Sequence, residues 1–314
     1  MRLSSAISDY IAHQRALGIQ FLAGEKRLRC FLRDIGDIDL DRIDSDAVWA
    51  HLAGQAPIKA HGVNRLSTLR GFYRFLLARG LVISSPLPTS VQRPASAFKP
   101  HIFSHDELRR LIAATDSLAK RWDPLRAPTL RTLLALLYGA GLRISEALRL
   151  TVADVDLTED LLMVRKSKFY KTRLVPIPPE LTAILDAYFR QRKRYHRPVT
   201  EESMFFATCR KSSLDDHYVR SLYWQIRSRA GLDQPGPGGF RPRLHDLRHT
   251  SAVHRLVTWY RQGKDIHALL PYLSTYLGHL DLSGTQHYLT MVPELLEAAN
   301  DRFEHYACLE VPHV

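Results

Sequence analysis

The chain has 314 residues, of which 45% are hydrophobic and 24% charged, enough to bury the cores of about two domains. Its longest apolar run, residues 132–142, is shorter than the ~20 residues that a membrane-spanning helix needs, and its N-terminus lacks the apolar core of a signal peptide. Three widely spaced cysteines argue against a disulfide framework or a thiolate zinc site, and they fit a cytoplasmic protein.

The net charge is +12 and is spread along the chain, since residues 1–100 already carry 14 Lys and Arg against 8 Asp and Glu. A polyanionic partner bound along the whole chain would explain this excess. A basic surface that serves only solubility would explain it equally well. Charge alone therefore makes nucleic acid a candidate partner and nothing more.

Residues 1–80 have the apolar spacing of short amphipathic helices, at 6–18, 21–35 and 63–80. Six aspartates crowd into residues 34–46, but they lack the central Gly and closing Glu of a calcium loop. We interpret them as helix-end and capping residues and predict no metal there. Three basic side chains lie off the apolar stripe of the last helix and are candidates for DNA phosphate contacts or for solvated surface: Arg65, Arg70 and Arg74.

Four prolines and few charges mark residues 84–100 as an extended linker. Directly after it, residues 104–107 (SHDE) match a capping box at the start of a helix. We therefore predict a helical domain at residues 1–84, a linker at 85–100 and a second domain at 101–314.

The second domain is predicted to be helical apart from one β-hairpin, formed by residues 161–166 and 172–178. Lys168 lies at the predicted tip of this hairpin, and residues 132–142 fit a buried helix. Further basic residues of this domain are candidates for DNA contacts: Lys171, Arg173, Arg220 and Arg227.

Histidine and arginine cluster at residues 243–256. His245 and His249 are four residues apart, which suits a metal pair on a helix, but the HExxH motif of zinc hydrolases is absent and Arg248 would place a cation beside the metal. Arginine and histidine without clustered carboxylates suit an anion instead, because a guanidinium binds two phosphate oxygens at once. We therefore predict phosphoryl-transfer chemistry that uses neither metal nor cofactor.

Four sequence boxes together resemble the tyrosine recombinase (phage integrase) family. Each box alone is weak. Taken singly, Arg143 could merely pair with Glu146 and Tyr288 could be a core residue, but six matched positions in the right order favour the family. The boxes are 141-GLRISE-146 with Arg143, 168-KFYKTRLVP-176 with Lys168, 245-HDLR-248 with His245 and Arg248, and 277-LGH-279 with His279, followed nine residues later by Tyr288.

The resemblance implies a mainly α fold with a small antiparallel β-sheet, in which a SAM-like helical core-binding domain precedes a mixed α/β catalytic domain. It also implies a site-specific recombinase that forms a 3′-phosphotyrosyl intermediate with DNA and leaves a free 5′-hydroxyl. The implied roles are nucleophile for Tyr288, base for His245, charge neutralisation for Arg143 and Arg248, proton donor to the leaving oxygen for Lys168, and a hydrogen bond to the phosphate for His279.

The partners implied by the resemblance are double-stranded DNA and copies of the chain itself, a tetramer at synapsis, with sister recombinases left open. The protein would act at the bacterial nucleoid, in the integration, excision or transposition of a mobile element.

The interval 249–279 is longer than in compact resolvases and resembles integrases of transposons. A C-terminal helix from about residue 293 would dock on its own domain or on a neighbouring protomer. The alternatives are a DNA-binding accessory subunit that does not cut and an enzyme of the type IB topoisomerase class.

Overall fold

The chain forms two compact units, Met1–Ala97 and Phe98–Val314. Within the residues that the structure describes, no helix is long and apolar enough to cross a membrane. The computed structural model describes residues 1–53, 60–89, 99–165, 172–195, 198–236, 239–279, 281–286 and 288–289, with backbone alone at 60, 61 and 283.

The first unit is helical, and its helices enclose one apolar core that includes the side chains of Leu28, Phe31 and Phe72, none of them exposed. Asp44 accepts a hydrogen bond from the backbone N–H of Ala47 at 2.7 Å, so at least this aspartate of the acidic stretch caps a helix as predicted. The helices are α1 (Leu3–Ala16), α2 (Leu22–Ile35), α3 (Ser45–Ala53) and α4 (Ala60–Ala78).

In its described residues, the second unit combines helices with one small sheet. Its helices are α5 (His105–Ala114), α6 (Arg126–Gly139), α7 (Ile144–Ala147), α8 (Pro179–Tyr195), α9 (Asp216–Arg229), α10 (Asp246–Arg261), α11 (Ile266–Leu277) and α12 (Ser283–Gln286), and its strands are β1 (Val155–Asp156), β2 (Leu161–Val164) and β3 (Arg173–Pro176).

The predicted β-hairpin is confirmed: β2 and β3 pair antiparallel, with Leu162 opposite Val175. β1 adds a short third strand on the outer side of β2, which the sequence did not predict. Leu162, Val164 and Val175 are almost completely buried in the core of the second unit. The hairpin tip, residues 166–171, lies outside the described residues.

The buried helix predicted around residues 132–142 is α6, whose leucines lie in the core of the second unit. The predicted capping box at the start of α5 is also present, with Ser104 Oγ accepting from the Glu107 N–H at 3.1 Å and the Glu107 carboxylate accepting from the Ser104 N–H at 2.8 Å. The predicted linker at 85–100 lies partly outside the described residues, and the predicted helix from residue 293 lies entirely outside them.

A separate apolar cluster joins α10 to α11, and it positions the end of the chain that the structure describes. Val253 and Leu256 of α10 pack with Leu273 and Leu277 of α11, and the ring of Tyr288 belongs to the same cluster. The tail of α11 and Tyr288 are thus fixed by the same core contacts as α10.

Candidate active site

Arg143 lies where α6 turns into α7. The chain leaves α6 and passes through Gly141, whose φ of +61° is a left-handed conformation that glycine adopts without strain. Arg143 is then the N-cap of α7, and its backbone N–H donates to Glu146 Oε2 at 3.0 Å. Its guanidinium donates to Glu146 Oε1 at 2.8 Å, so one carboxylate fixes both the backbone and the side chain of Arg143.

Glu146 is a buried carboxylate between two arginines. Arg173 on β3 donates to it through Nη1 at 3.2 Å and Nη2 at 2.9 Å, and Arg143 completes the arrangement. Burial opposes ionisation of Glu146, but the hydrogen bonds and charges of Arg173 and Arg143 outweigh it and lower its pKa to about 2. The carboxylate is therefore ionised at neutral pH and orients both guanidinium groups.

The C-terminus of α11 is held by three arginines. The last carbonyls of a helix have no partner within the helix and carry partial negative charge, so they are natural acceptors for cations. Here three successive carbonyls each accept from a guanidinium that comes from a different element. The bonds are Arg173 Nε to Tyr276 O at 3.0 Å, Arg248 Nη2 to Leu277 O at 2.7 Å and Arg143 Nη2 to Gly278 O at 3.0 Å.

Gly278 makes this close approach possible. It caps α11 in the left-handed conformation, with φ +70°. A Cβ atom at this position would lie 2.7 Å from Arg173 Nη1, closer than van der Waals contact allows. The backbone conformation therefore favours glycine, and any larger residue would have to displace the Arg173 guanidinium.

Arg248 is almost completely buried on α10, with 2% of its surface exposed. Besides its bond to α11 it donates through Nη1 to the Gly141 carbonyl at 2.7 Å, so it ties α10 to the turn before Arg143. Burial and then the nearby charge of Arg143 lower its pKa to about 10, which leaves it protonated at neutral pH.

His245 is the N-cap residue of α10 and is half-buried. Burial, followed by the neighbouring His249 and Arg248, lowers its pKa to about 4. Its ring centre is 4.8 Å from that of His249, at an interplanar angle of 86°. His245 is therefore neutral at pH 7 and packs edge to face against the next histidine.

Tyr288 is 2% exposed, and its hydroxyl oxygen lies 3.1 Å from His249 Nδ1. Burial raises the pKa of Tyr288, while the charges of Arg248 and Arg143 act in the opposite direction. A buried phenol beside two fixed cations can lose its proton once a base and an anion-binding site are in place.

His279 follows Gly278 directly and faces Tyr288, with ring centres 6.1 Å apart and nearly parallel. Its Nδ1 lies 2.7 Å from Thr285 Oγ1. Burial and then the charges of Arg248 and Arg143 lower its pKa to about 4, so it is neutral at pH 7. The structure thus brings together five of the six predicted catalytic residues: Arg143, His245, Arg248, His279 and Tyr288.

The sixth, Lys168, lies outside the described residues, as does Lys171. Arg173, predicted as a candidate for DNA contact, lies inside the site with 11% of its side chain exposed. Its guanidinium is bound to Glu146 and to the Tyr276 carbonyl, which gives it an internal organising role.

Two candidates for DNA contact lie on α9. Arg220 forms an ion pair with Asp216 one turn earlier, at 2.8 Å, and both side chains are exposed. Arg227 is 9% exposed and binds Asp233 at 2.8 Å and the Pro242 carbonyl at 3.3 Å. Arg220 is therefore accessible to a partner, whereas Arg227 supports the loop after α9.

The three candidates of the first unit lie on α4. Arg65 is half-buried and donates to the His51 carbonyl at 2.7 Å, near the end of α3. Arg70 is exposed and donates to the Thr89 carbonyl at 3.1 Å, and Arg74 is exposed. Of the three, Arg70 and Arg74 present their charge to solvent, and their DNA contacts stay a prediction.

The sequence alone did not indicate the contact of His249 with Tyr288 or the bonds of Glu146 to Arg173. His249 had a signal, since it is four residues after His245, but the pair was considered only as metal ligands. Within the described part of the chain, no group of three or more His, Cys, Asp or Glu side chains is placed to hold a metal ion. The only sequence signal for Glu146 was its position in the same box as Arg143. Its other partner, Arg173, lies 27 residues further along the chain.

The sequence profile of the phage integrase family matches residues 101–294. The chain belongs to this family. It is a tyrosine recombinase, an enzyme that cleaves and rejoins DNA strands at specific sites, as the boxes around Arg143 and Tyr288 led us to expect.

Two related proteins align with this recombinase over nearly its whole length. "Putative integrase/recombinase y4rE" of Sinorhizobium fredii is 36% identical over 96% of the chain and 95% of its own length. The related y4rB protein of the same organism is 33% identical over 95% and 96%. Tyrosine recombinase XerD of Pseudomonas aeruginosa is 32% identical over 79% of the chain and 78% of its own length.

Solved structures share the fold. The Tn1549 transposon integrase in complex with transposon right end DNA has a TM-score of 0.67 at 14% identity, covering 98% of this chain and 100% of that one. A lambda integrase dimer bound to a core site has a TM-score of 0.64 at 20% identity, covering 92% and 77%. The predicted fold class, mainly helical with a small antiparallel sheet, is confirmed.

Proposed function

We propose that this recombinase cuts DNA with Tyr288 and binds the scissile phosphate with Arg143 and Arg248. The observation that carries the proposal is the α11 terminus, where adjacent carbonyls hold these two guanidinium groups directly before the segment that bears Tyr288. A guanidinium has five N–H donors, so Arg143 can bind Glu146, the Gly278 carbonyl and a phosphate at the same time. The backbone and Glu146 already hold these arginines in fixed orientations, and such preorganisation is what stabilises a charged transition state.

The proposed reaction is an exchange of esters. Tyr288 Oη attacks the phosphorus, the bond to the 5′-oxygen breaks, and a 3′-phosphotyrosyl link remains. Lys168 would protonate the leaving 5′-oxygen, and His279 would hydrogen-bond a phosphate oxygen. The covalent link conserves the energy of the original ester, so a second 5′-hydroxyl can reverse the step without ATP or a metal ion.

The proposed substrate is double-stranded DNA, bound by copies of the chain that assemble into a tetramer at synapsis. Lambda integrase has been solved as a dimer on a core site and as a tetramer on a Holliday junction, and both share this fold. The first unit would be the core-binding domain (predicted at 1–84), with Arg70 and Arg74 toward the DNA. We place its activity in the bacterial cytoplasm, in integration, excision or transposition of a mobile element, with sister recombinases as further partners.

Formation of a covalent adduct tests the nucleophile. The Tyr288→Phe protein, which we expect to bind without cutting, would first select its binding site from a random-sequence duplex pool. The selected duplex, nicked so that the freed 5′-hydroxyl fragment diffuses away, is then incubated with wild type in EDTA. We expect an adduct that survives denaturing electrophoresis with wild type and none with Tyr288→Phe.

Tyr272→Phe is the matched control, because Tyr272 lies on α11 with 73% of its surface exposed and should form the adduct at the wild-type rate. An adduct from Tyr288→Phe would show that another residue is the nucleophile. Binding by wild type without any adduct would favour the non-cutting accessory subunit instead.

A further inference from the structure

His249 contacts the nucleophile directly. Its Nδ1 lies 3.1 Å from Tyr288 Oη, and the two ring centres are 5.5 Å apart at an angle of 60°. His245, which the family resemblance makes the base, packs instead against the ring of His249. The histidines therefore lie in series, with His249 between His245 and the phenol.

The charges of Arg248 and Arg143 act to lower the pKa of Tyr288, against the effect of its burial. Tyr288 Oη and His249 Nδ1 are 3.1 Å apart, so the phenol donates its proton to Nδ1 in the tautomer whose ring proton is on Nε2. In that tautomer Nδ1 is positioned to take the proton that the phenol loses.

We propose that His249 is the general base that takes the phenolic proton of Tyr288, and that His245 is a positioning residue that holds the His249 ring. The proposal rests on Tyr288 being the nucleophile. As Oη bonds to phosphorus, its proton moves to His249 Nδ1, and the departing 5′-oxygen takes a proton from Lys168. In the rejoining step the imidazolium returns its proton to Oη as the phosphotyrosyl bond breaks, so the protons balance over the cycle.

The placement of His245 fits this division of roles. Its neutral ring packs edge to face on His249, and its pKa of about 4 makes it a poor proton acceptor near pH 7. Arg248 and Arg143 would favour the phenolate that forms at Oη. The imidazolium on His249 would then lie beside that new negative charge and beside a neutral ring.

Single-turnover cleavage of the nicked duplex, followed against pH, tests the assignment. His249→Ala and His249→Gln are compared with wild type, and His254→Ala is the control because His254 lies farther along α10, hydrogen-bonded to Tyr138 at 3.0 Å. The glutamine carbonyl can accept the phenolic hydrogen bond but cannot take the proton. We expect both His249 variants to form adduct about 100-fold or more slowly with unchanged DNA affinity, and His254→Ala to match wild type.

A more acidic nucleophile separates the loss of a base from the loss of positioning. With a fluorinated tyrosine incorporated at position 288, the phenol needs less help to ionise, so the His249→Ala rate should recover by about tenfold or more. The same replacement should not rescue Lys168→Ala, whose defect lies in the leaving group.

Three results would overturn the assignment: His249→Ala within about threefold of wild type, His249→Gln at the wild-type rate, or no recovery with the fluorinated phenol. In each of these cases wild type still forms the adduct, so Tyr288 remains the nucleophile. If wild type formed no adduct on a duplex that it binds, the proposed function itself would fail, and this assignment with it.

Discussion

Glu146 is both a structural partner of Arg143 and a part of the candidate site. From the sequence, a pair between Arg143 and Glu146 was the alternative to a catalytic Arg143, yet the structure contains that pair and still directs Arg143 to the α11 terminus. Likewise Tyr288 is a core residue with 2% exposure and also has its hydroxyl among the cations. For single residues, the structural and the functional interpretation are therefore compatible, because burial holds a side chain and its polar atoms in one position.

Glu146→Gln tests the ion-pair arrangement. The change removes the negative charge but keeps the volume, which leaves Arg173 buried without its counter-charge. Breaking a buried ion pair in this way costs about 3 kcal/mol, so we expect the free energy of unfolding to fall by about that amount and adduct formation to slow markedly. Denaturant unfolding and the cleavage assay measure the two effects.

The control for this change is Asp216→Asn, which breaks the exposed pair with Arg220 and should cost about 1 kcal/mol or less. If the two substitutions had equal effects on stability, the Glu146 pair would not organise the site.

At the scale of secondary-structure elements, the sequence predicted the features that depend on local residue patterns. The helices near 6–18 and 21–35, the hairpin and the capping box at Ser104 all depend on residues close in the chain. The contacts that build the site are not local: Arg143 and the Gly278 carbonyl are 135 residues apart. The sequence therefore identified residues such as Arg143 and Gly278 as members of motifs, but not the contacts between them. Only the family resemblance implied that these residues share one site.

Gly278→Ala tests the close packing at the end of α11. A left-handed alanine costs roughly 1–2 kcal/mol by itself. The new Cβ would also meet Arg173 Nη1 at 2.7 Å and displace it from Glu146, so we expect a larger loss of stability than strain alone gives, and cleavage slower by about tenfold or more.

Gly80→Ala is the matched control for that change. Gly80 has φ +66°, and no described atom lies within 4 Å of the Cβ that alanine would add. Thermal unfolding and adduct formation of both variants should show strain alone at Gly80 and an additional loss at Gly278. Equal effects would mean that Arg173 moves aside freely.

On the scale of the whole molecule, histidines that are neutral in the folded chain make stability depend on pH. Burial is the first cause of the lowered pKa of His245, of His279 and of His51 in the first unit. An unfolded histidine has a pKa near ~6.5 and binds a proton that the folded one rejects, so stability is full above that value and falls as the pH drops toward about 4.

We therefore expect the melting temperature to fall steadily as the pH drops from about 6.5 to 5. Glu146 acts in the same direction but only below its ordinary pKa, outside this range. The double variant His245→Gln, His279→Gln should show a shallower slope in calorimetry over the same interval. An unchanged slope would assign the pH dependence to other groups.

The three arginine bonds at the end of α11 have a mechanical consequence. In the proposed covalent intermediate, in which DNA is joined to Tyr288, a pull from the moving strand would reach α11 through the residues that follow Gly278. The load would then pass to Arg143 of the turn before α7, Arg173 of β3 and Arg248 of α10, which bind the last carbonyls of the helix. Three anchors would thus share the tension and oppose fraying of the helix end.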